Sequence, residues 1–462
     1  MLTTAEYKTI KLPWLTKIPI SWDLIRNKQF FKEKDAIVGD LANQYTLLSL
    51  TLRGIIKRDL SKKKGKLPSS FYTYKVIAPG DIVFCLFDMD ETPRTVGLSE
   101  YDGMLTGAYT VFQVHGINPQ FLYYYYLSLD NIKALRPFYT GLRKTIKTDT
   151  FLALKLPVPP RAEQNQIVRF LDWKVSEINK LIGIRRKEIQ ELKVLQAAVI
   201  NSAIIKGIDS NIVMKKTNVY YLKEIPADWK LMKLKRICKV GASIREQLKK
   251  HGDQDEVVFL PMENISENGV IDCSIKQPIV KVKNGFSSFA KDDVIVAKIT
   301  PCFENGKGAC LDRLESDIGY GTTELFNLRA GDKVIPKYLY YITMTKLFRT
   351  LGAGQMTGSA GQKRIPAEFI KNFIIGVPTV DIQQKIVDYI IHENQRIDEL
   401  LTSKYEQLKV LTELKSAIIS DVVTGKIDVR NISVPEYEHV EDMAAADVED
   451  GDEETEIHGE ED

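Results

Sequence analysis

Apolar residues recur every seven positions along two long stretches of this chain. In the first, Leu171, Val175, Ile178, Ile182, Ile189, Leu192 and Val199 make the stripe; in the second, Ile390, Ile397, Leu401, Leu408, Leu411 and Ile418 make it. A sustained heptad predicts a helix that packs on a partner helix along its length. Pro159, Pro160 and Pro378 close the extended segments that precede the two stretches, and Gly207 and Gly425 stand where they end. Each helix is expected to run for about 40 residues, or ~60 Å at 1.5 Å per residue. Polar interruptions coincide, Arg185 with Lys404 and Gln196 with Lys415.

Elsewhere the pattern is shorter. Runs at 74–77, 81–87 and 294–299 are rich in β-branched and apolar residues and predict strands. Pro79-Gly80, Asn268-Gly269 and Asn305-Gly306 punctuate them as turns. FLYYYYLSL after Pro119 and YLYYITMTKLF after Pro336 predict short helices with proline in the first turn. The aromatic run 123–126 resembles a base-stacking platform, but its spacing on a helix favours a core role.

The chain repeats itself. Residues 158–209 align with 377–428 without a gap at an offset of 219, with 13 identities in 52 positions, among them Gln164, Ile167, Ile178, Leu192 and Asp209. The match continues backwards at smaller offsets: IPISW at 18–22 with IPADW at 225–229, APGDIVF at 78–84 with AKDDVIV at 290–296, NPQFLYYY at 118–125 with IPKYLYYI at 335–342. The unit duplicated is a globular part followed by a long helix. Two like units that pair through equivalent faces do so about a pseudo-twofold, which makes the helices antiparallel. The expected fold class is mixed α/β (α+β): two repeated globular domains joined by two long helices in an antiparallel coiled coil. The segments expected are 1–157, 158–210, 211–376, 377–430 and an acidic, disordered tail at 431–462.

Charge adds a partner class. The chain has 64 Lys and Arg against 61 Asp and Glu, but 14 of the acids lie in 436–462, which has no Lys or Arg. The first 435 residues therefore carry 64 basic against 47 acidic side chains, a net +17. A body that basic suits a polyanion. No apolar run approaches 18 residues and the start lacks an apolar signal core, so a cytoplasmic protein is expected. The five cysteines, Cys85, Cys238, Cys273, Cys302 and Cys310, form no CxxC pair and read as scattered reduced thiols rather than zinc ligands.

Catalytic signatures are missing. GAGQMTG at 352–358 lacks the lysine of a phosphate-binding loop, and GKGAC at 306–310 does not complete one. No Asn-Pro-Pro-Tyr motif of a base methyltransferase occurs, and five histidines support no Ser-His-Asp order. No catalytic, cofactor or metal site is expected in this chain.

Several motifs, in order and twice over, resemble the specificity subunit of type I restriction–modification systems. In the first copy they are LLSLTLRGIIKRDL at 47–60, YKVIAPGDIV at 74–83 and VGLSEYDGMLTGAYTVF at 96–112. In the second they are FLPMENISENG at 259–269, VIVAKITPCFENGKGA at 294–309 and GSAGQKRIP at 358–366. Both helices open in the family manner, LPVPPRAEQNQIVRFLD at 156–172 and GVPTVDIQQKIVDYI at 376–390, although Thr379 and Ile382 stand where the first copy has Pro160 and Glu163. The resemblance implies two target recognition domains, each reading half of a split double-stranded DNA site. It also implies helices that set the spacing and dock two methyltransferase subunits. Those would carry S-adenosylmethionine, and restriction/translocase subunits would carry ATP and Mg; no membrane is implied.

DNA binding needs cations for phosphates and directional groups for base edges. The first copy offers Lys57, Arg58, Lys62, Lys63 and Lys64, which read equally as a solvated charge run, then Arg94, then Arg143, Lys144 and Lys147 just before the helix. The second offers Asn264, Lys298, Thr300, Asn305 and Lys307, whose Thr-Pro and Asn-Gly steps are also ordinary turn chemistry, and Gln362, Lys363 and Arg364 before its helix. The same place in both copies is basic and glycine-rich. Two other classes stay open: a methyltransferase or nuclease with an unrecognised site, and a coiled-coil scaffold that binds only proteins.

Overall fold

The computed structural model describes residues 6–58, 70–209, 211–359 and 362–441. The chain divides into two compact units, Met1–Glu188 with Lys404–Asp462, and Ile189–Ser403. The heptad stretches are the helices Arg161–Lys206 and Val380–Val423, and each is shared between the units. Gly207 and Gly425 follow their ends at φ +81° and +75°, where a side chain would be strained.

The first unit opens with the hairpin Tyr7–Leu12/Leu15–Pro19, and Asp23–Arg26 then pairs antiparallel with Lys155–Val158. Its main sheet is antiparallel in the order Phe31–Glu33, Thr110–Val114, Ile82–Phe84, Val96–Leu98. Ile82–Phe84 is buried along its whole length, which is why it reads as an unbroken apolar run. Phe31, Phe84, Phe112 and Phe151 interlock behind it, with Phe84 and Phe151 centroids 4.6 Å apart. The helix Pro119–Asn131 is capped by Asn118, whose side chain accepts from the amides of Gln120 and Phe121. The tyrosines of this helix are core: Tyr124 donates to Asp172, Tyr126 to Asn27, and Tyr125 accepts from the Trp14 indole.

The second unit repeats this order. The hairpin is Met214–Val219/Leu222–Pro226, Lys230–Lys233 pairs with Ile374–Val377, and the sheet runs Cys238–Val240, Leu325–Ala330, Val294–Ala297, Gly308–Cys310. It adds a second sheet, Lys276–Pro278, Glu256–Leu260, Ile318–Gly321, Ser287–Ala290, with the middle two strands parallel. The helix expected after Pro336 is two helices, Pro336–Met344 and Lys346–Ala353. Thr345 between them is extended, and its hydroxyl caps the second by accepting from the Phe348 amide.

Repeated side chains do repeated jobs. Gln164 donates to the Pro159 carbonyl at 2.8 Å and accepts from the Asn118 amide at 2.9 Å. Gln383 donates to the Pro378 and Lys333 carbonyls and accepts from the Ile335 amide at 3.0 Å. Both glutamines are buried and lock a long helix to the start of a short one. Asp81 and Asp293, also buried, accept from the amide three residues earlier and pair with Lys34 and Arg329. Trp22 and Trp229 are both fully enclosed, but their indoles differ. Trp22 donates to Glu163 at 3.0 Å, whereas the second copy has Ile382 in that place and the buried Trp229 N–H has no partner among the described residues. Ile382→Gln is expected to supply the acceptor and stabilise the second unit by about 1 kcal/mol, read by chemical denaturation. A loss of stability would mean that the amide does not reach the indole.

The long helices pack antiparallel within each unit. In the first, Glu188 pairs with Lys404 at 2.9 Å and Asn179 accepts from Lys415 at 2.9 Å, so partners rise on one helix as they fall on the other. In the second, Gln196 donates to Asp398 at 2.8 Å, and Ala203 and Ile204 share a core with Ile386, Val387 and Ile390. Gln196–Asp398 and Lys415–Asn179 are the same contact between equivalent positions with the helices exchanged. Arg185 also binds Glu188, so the equivalent cations Arg185 and Lys404 share one acid. Of the stripe, Leu171, Ile178, Ile182, Ile189, Ile390, Ile397 and Leu401 are buried; Val175, Leu192, Val199, Leu408, Leu411 and Ile418 are half-buried. Leu171, Val175 and Ile418 also join the first unit's domain core, where Ile419, Val422 and Val423 meet Ile167 and Phe170.

The segment expected to be disordered from 431 departs from that expectation as far as 441. Gln166 donates to the carbonyls of Val429 and Ile432, and Asn179 to that of Val440, so this stretch lies along the first long helix. Val429, Ile432 and Val434 supply the apolar contacts that acidity had hidden.

Candidate nucleic-acid interface

In each unit the loop before a short helix, Thr148–Ala153 or Ala367–Asn372, which a strand then links to the long helix, is stitched to the loop that follows the buried central strand. In the first unit the Ile146 amide donates to Leu86 and the Asp88 amide to Arg143, at 2.8 and 2.7 Å. In the second the Ile365 amide donates to Lys298 and the Thr300 amide to Lys363, at 2.9 and 3.0 Å. Candidate residues far apart in sequence therefore meet: Arg143, Lys144 and Lys147 beside 86–94, and Gln362, Lys363 and Arg364 beside 298–307. A loop pair held by main-chain bonds presents side chains from a rigid base.

The side chains differ in what they have left to offer. Lys147, Gln362, Lys363 and Asn305 are exposed. Arg143 lies against Asp88 and stacks over the Phe87 ring, Lys144 against Asp90 and Glu91, and Arg364 against Glu324. Hydrogen bonding to Arg364 holds the Glu324 carboxyl below its usual range, and the Arg136 guanidinium does the same for Asp90. Other candidates are spent inside the domain. Arg94 is mostly covered and reaches Asp130 and Asn131. Lys298 donates to the Thr323 carbonyl over the Phe326 ring, and burial lowers its pKa. Lys307 donates to Met262, Asn264 to Asp272, and the Thr300 hydroxyl to Glu304. Lys57 is exposed over the Tyr101 ring, and Arg58 is half-buried. Lys62, Lys63 and Lys64 lie outside the described residues.

Two groups escaped the reading of the sequence. One is the acids, Asp88, Asp90, Glu91 and Glu324; the DMDE run at 88–91 was the signal for three of them. The other is Arg349, buried and with no carboxylate in contact among the described residues. It donates to the carbonyls of Phe303, Gly306 and Thr343, and desolvation pulls its pKa down to about 10. It fixes the loop that carries Asn305 and Lys307. The thiols are unremarkable: Cys238 and Cys310 are pushed up to about 12 by burial, and no cluster of metal-ligating side chains occurs among the described residues. No helix of the described residues is long and apolar enough to cross a membrane.

Residues 85–193 and 226–410, more than half of the chain, match the type I restriction modification DNA specificity domain. This chain belongs to that family. The specificity-domain match takes in the loop pair of both copies and the long helices as far as residues 193 and 410. The type I restriction enzyme EcoAI specificity subunit of Escherichia coli is 40% identical over 168 residues, 36% of this chain and 28% of that protein. The MjaVIII specificity subunit of Methanocaldococcus jannaschii is 25% identical over 297 residues, 61% of this chain and 64% of its own length. The match thus spans less than a third of the Escherichia coli relatives, the EcoEI specificity subunit included. The fold is shared with a solved chain described for complex assembly and conformational transition of the type I R-M system. The TM-score is 0.61 at 14% identity, over 89% of this chain and 99% of that one.

Proposed function

We propose that this chain is the DNA sequence-specificity subunit of a type I restriction–modification complex. Each unit reads one half of a bipartite, asymmetric double-stranded site, and the paired helices set the distance between the halves. The observation that carries this reading is the loop pair: one scaffold, built twice, holding different side chains each time. Equivalent scaffolds place two readers alike, and different side chains give them different targets. The net +17 of the first 435 residues supports a polyanionic partner.

The role is recognition, not catalysis. Two methyltransferase subunits, binding S-adenosylmethionine, and restriction/translocase subunits, using ATP and Mg, are the proposed partners, with no cofactor bound by this chain. Exposed apolar residues on the long helices, Leu181, Ile184, Val410 and Leu414 in the first unit and Val194, Leu195 and Leu400 in the second, support docking of protein partners there. The test is a methylome of the host with and without the gene. Loss of methyl-adenine at one split, asymmetric motif is expected; no loss, or loss at a continuous or palindromic motif, would sink the reading.

A further inference from the structure

The two loop pairs share a detail that their sequences do not. In the first unit Arg143 turns its Nε and Nη2 edge to Asp88, at 3.4 and 3.1 Å, with Phe87 beneath the guanidinium. In the second unit Arg364 turns the same edge to Glu324, through Nε at 2.9 Å and Nη2 at 2.7 Å. The loops are TGLRKT and GQKRIP, and the two acids do not correspond in the repeat alignment. Descent of one ion pair does not explain the coincidence; each copy has its own acid in the same role.

A carboxylate on that edge has two effects. It cancels most of the arginine's charge, which makes it a poor phosphate ligand beside the exposed Lys147 and Lys363. It also fixes the guanidinium plane and leaves the end-on pair, Nη1 with the outer N–H of Nη2, as an outward fork. Both side chains keep about half of their surface open to solvent, 53% for Arg143 and 48% for Arg364. A fork with fixed direction and little net charge suits an acceptor pair of fixed geometry. Among base edges in the major groove, guanine alone offers two adjacent acceptors, N7 and O6.

We infer that Arg143 and Arg364 each read a guanine, one in each half of the DNA site, with Asp88 and Glu324 as positioning residues that aim them. This rests on the proposed function and commits it to two bases. The test is selection of bound duplexes from a randomised DNA library by the full chain and by Arg143→Lys and Arg364→Lys. Lysine keeps the charge and the ion pair but not the fork. Each variant is expected to lose preference for a single G·C pair in its own half by about 10- to 100-fold. The other half must persist in the same molecule, which controls for folding. Glu324→Gln is expected to relax the same position as Arg364→Lys while raising affinity for unrelated DNA. An unchanged motif, a uniform fall across a half-site, or loss of both halves overturns the assignment. A native chain that selects no split motif would instead defeat the proposed function itself.

Discussion

Asp293→Ala is expected to destabilise the second unit by about 2–4 kcal/mol, the cost of removing a buried charged acceptor from a half-buried ion pair and a turn. The Asp293 carboxylate is almost fully enclosed, with 1% of its surface exposed, and binds Arg329 through both oxygens at 2.7 and 2.8 Å. It also accepts from the Ala290 amide, which closes the turn into the central strand. Alanine would strand the Ala290 amide and leave the guanidinium, 30% exposed, with the Ser243 carbonyl and solvent. The equivalent Asp81→Ala is expected to cost less, about 1–2 kcal/mol, because Lys34 makes one contact where Arg329 makes two. Hydrogen exchange resolved by peptide distinguishes the units: faster exchange should appear in the strands around 238–330 and spare the first unit. Stability within about 1 kcal/mol of the native chain would reduce the pair to a surface contact.

Lys147→Glu combined with Lys363→Glu is expected to weaken DNA binding at every sequence and leave the selected motif unaltered. Both residues are exposed, on the loops that lead into the short helices Thr148–Ala153 and Ala367–Asn372. Each phosphate contact contributes a factor of salt concentration to the power ~0.9, so its loss lowers affinity at 0.1 M salt by about 8-fold. The logarithmic salt slope should flatten by roughly one for each site. Binding titrations across a salt series read both quantities, and an unchanged slope would place the two lysines away from phosphate. Together with the arginine variants, this separates affinity from specificity within a few residues of the same loops.

Periodicity and repetition were sufficient for the architecture. Heptads announce long paired helices because a stripe of that length is stable only against another such stripe. The gapless repeat announces two units of one design; the match of Gln196 with Lys415 anticipates a contact made twice, and that of Arg185 with Lys404 two cations that meet on one acid. Short-range chemistry was also legible: proline before each helix and glycine after the long ones. The split at Thr345 was not, since a threonine cap inside an apolar run looks like one more helical residue until the chain's direction changes.

The candidate interface was legible in position but not in role. Basic, glycine-rich segments before both helices are visible as composition. Whether a given cation is available depends on neighbours distant in sequence. Arg143 meets an acid 55 residues away and Arg364 one 40 residues away, while Lys298 and Arg94 are turned inward to carbonyl and carboxylate oxygens. A linear sequence counts charges without knowing which are neutralised. Only packing decides that, because desolvation and hydrogen bonding act over a few ångströms, and folding alone brings those groups within that range.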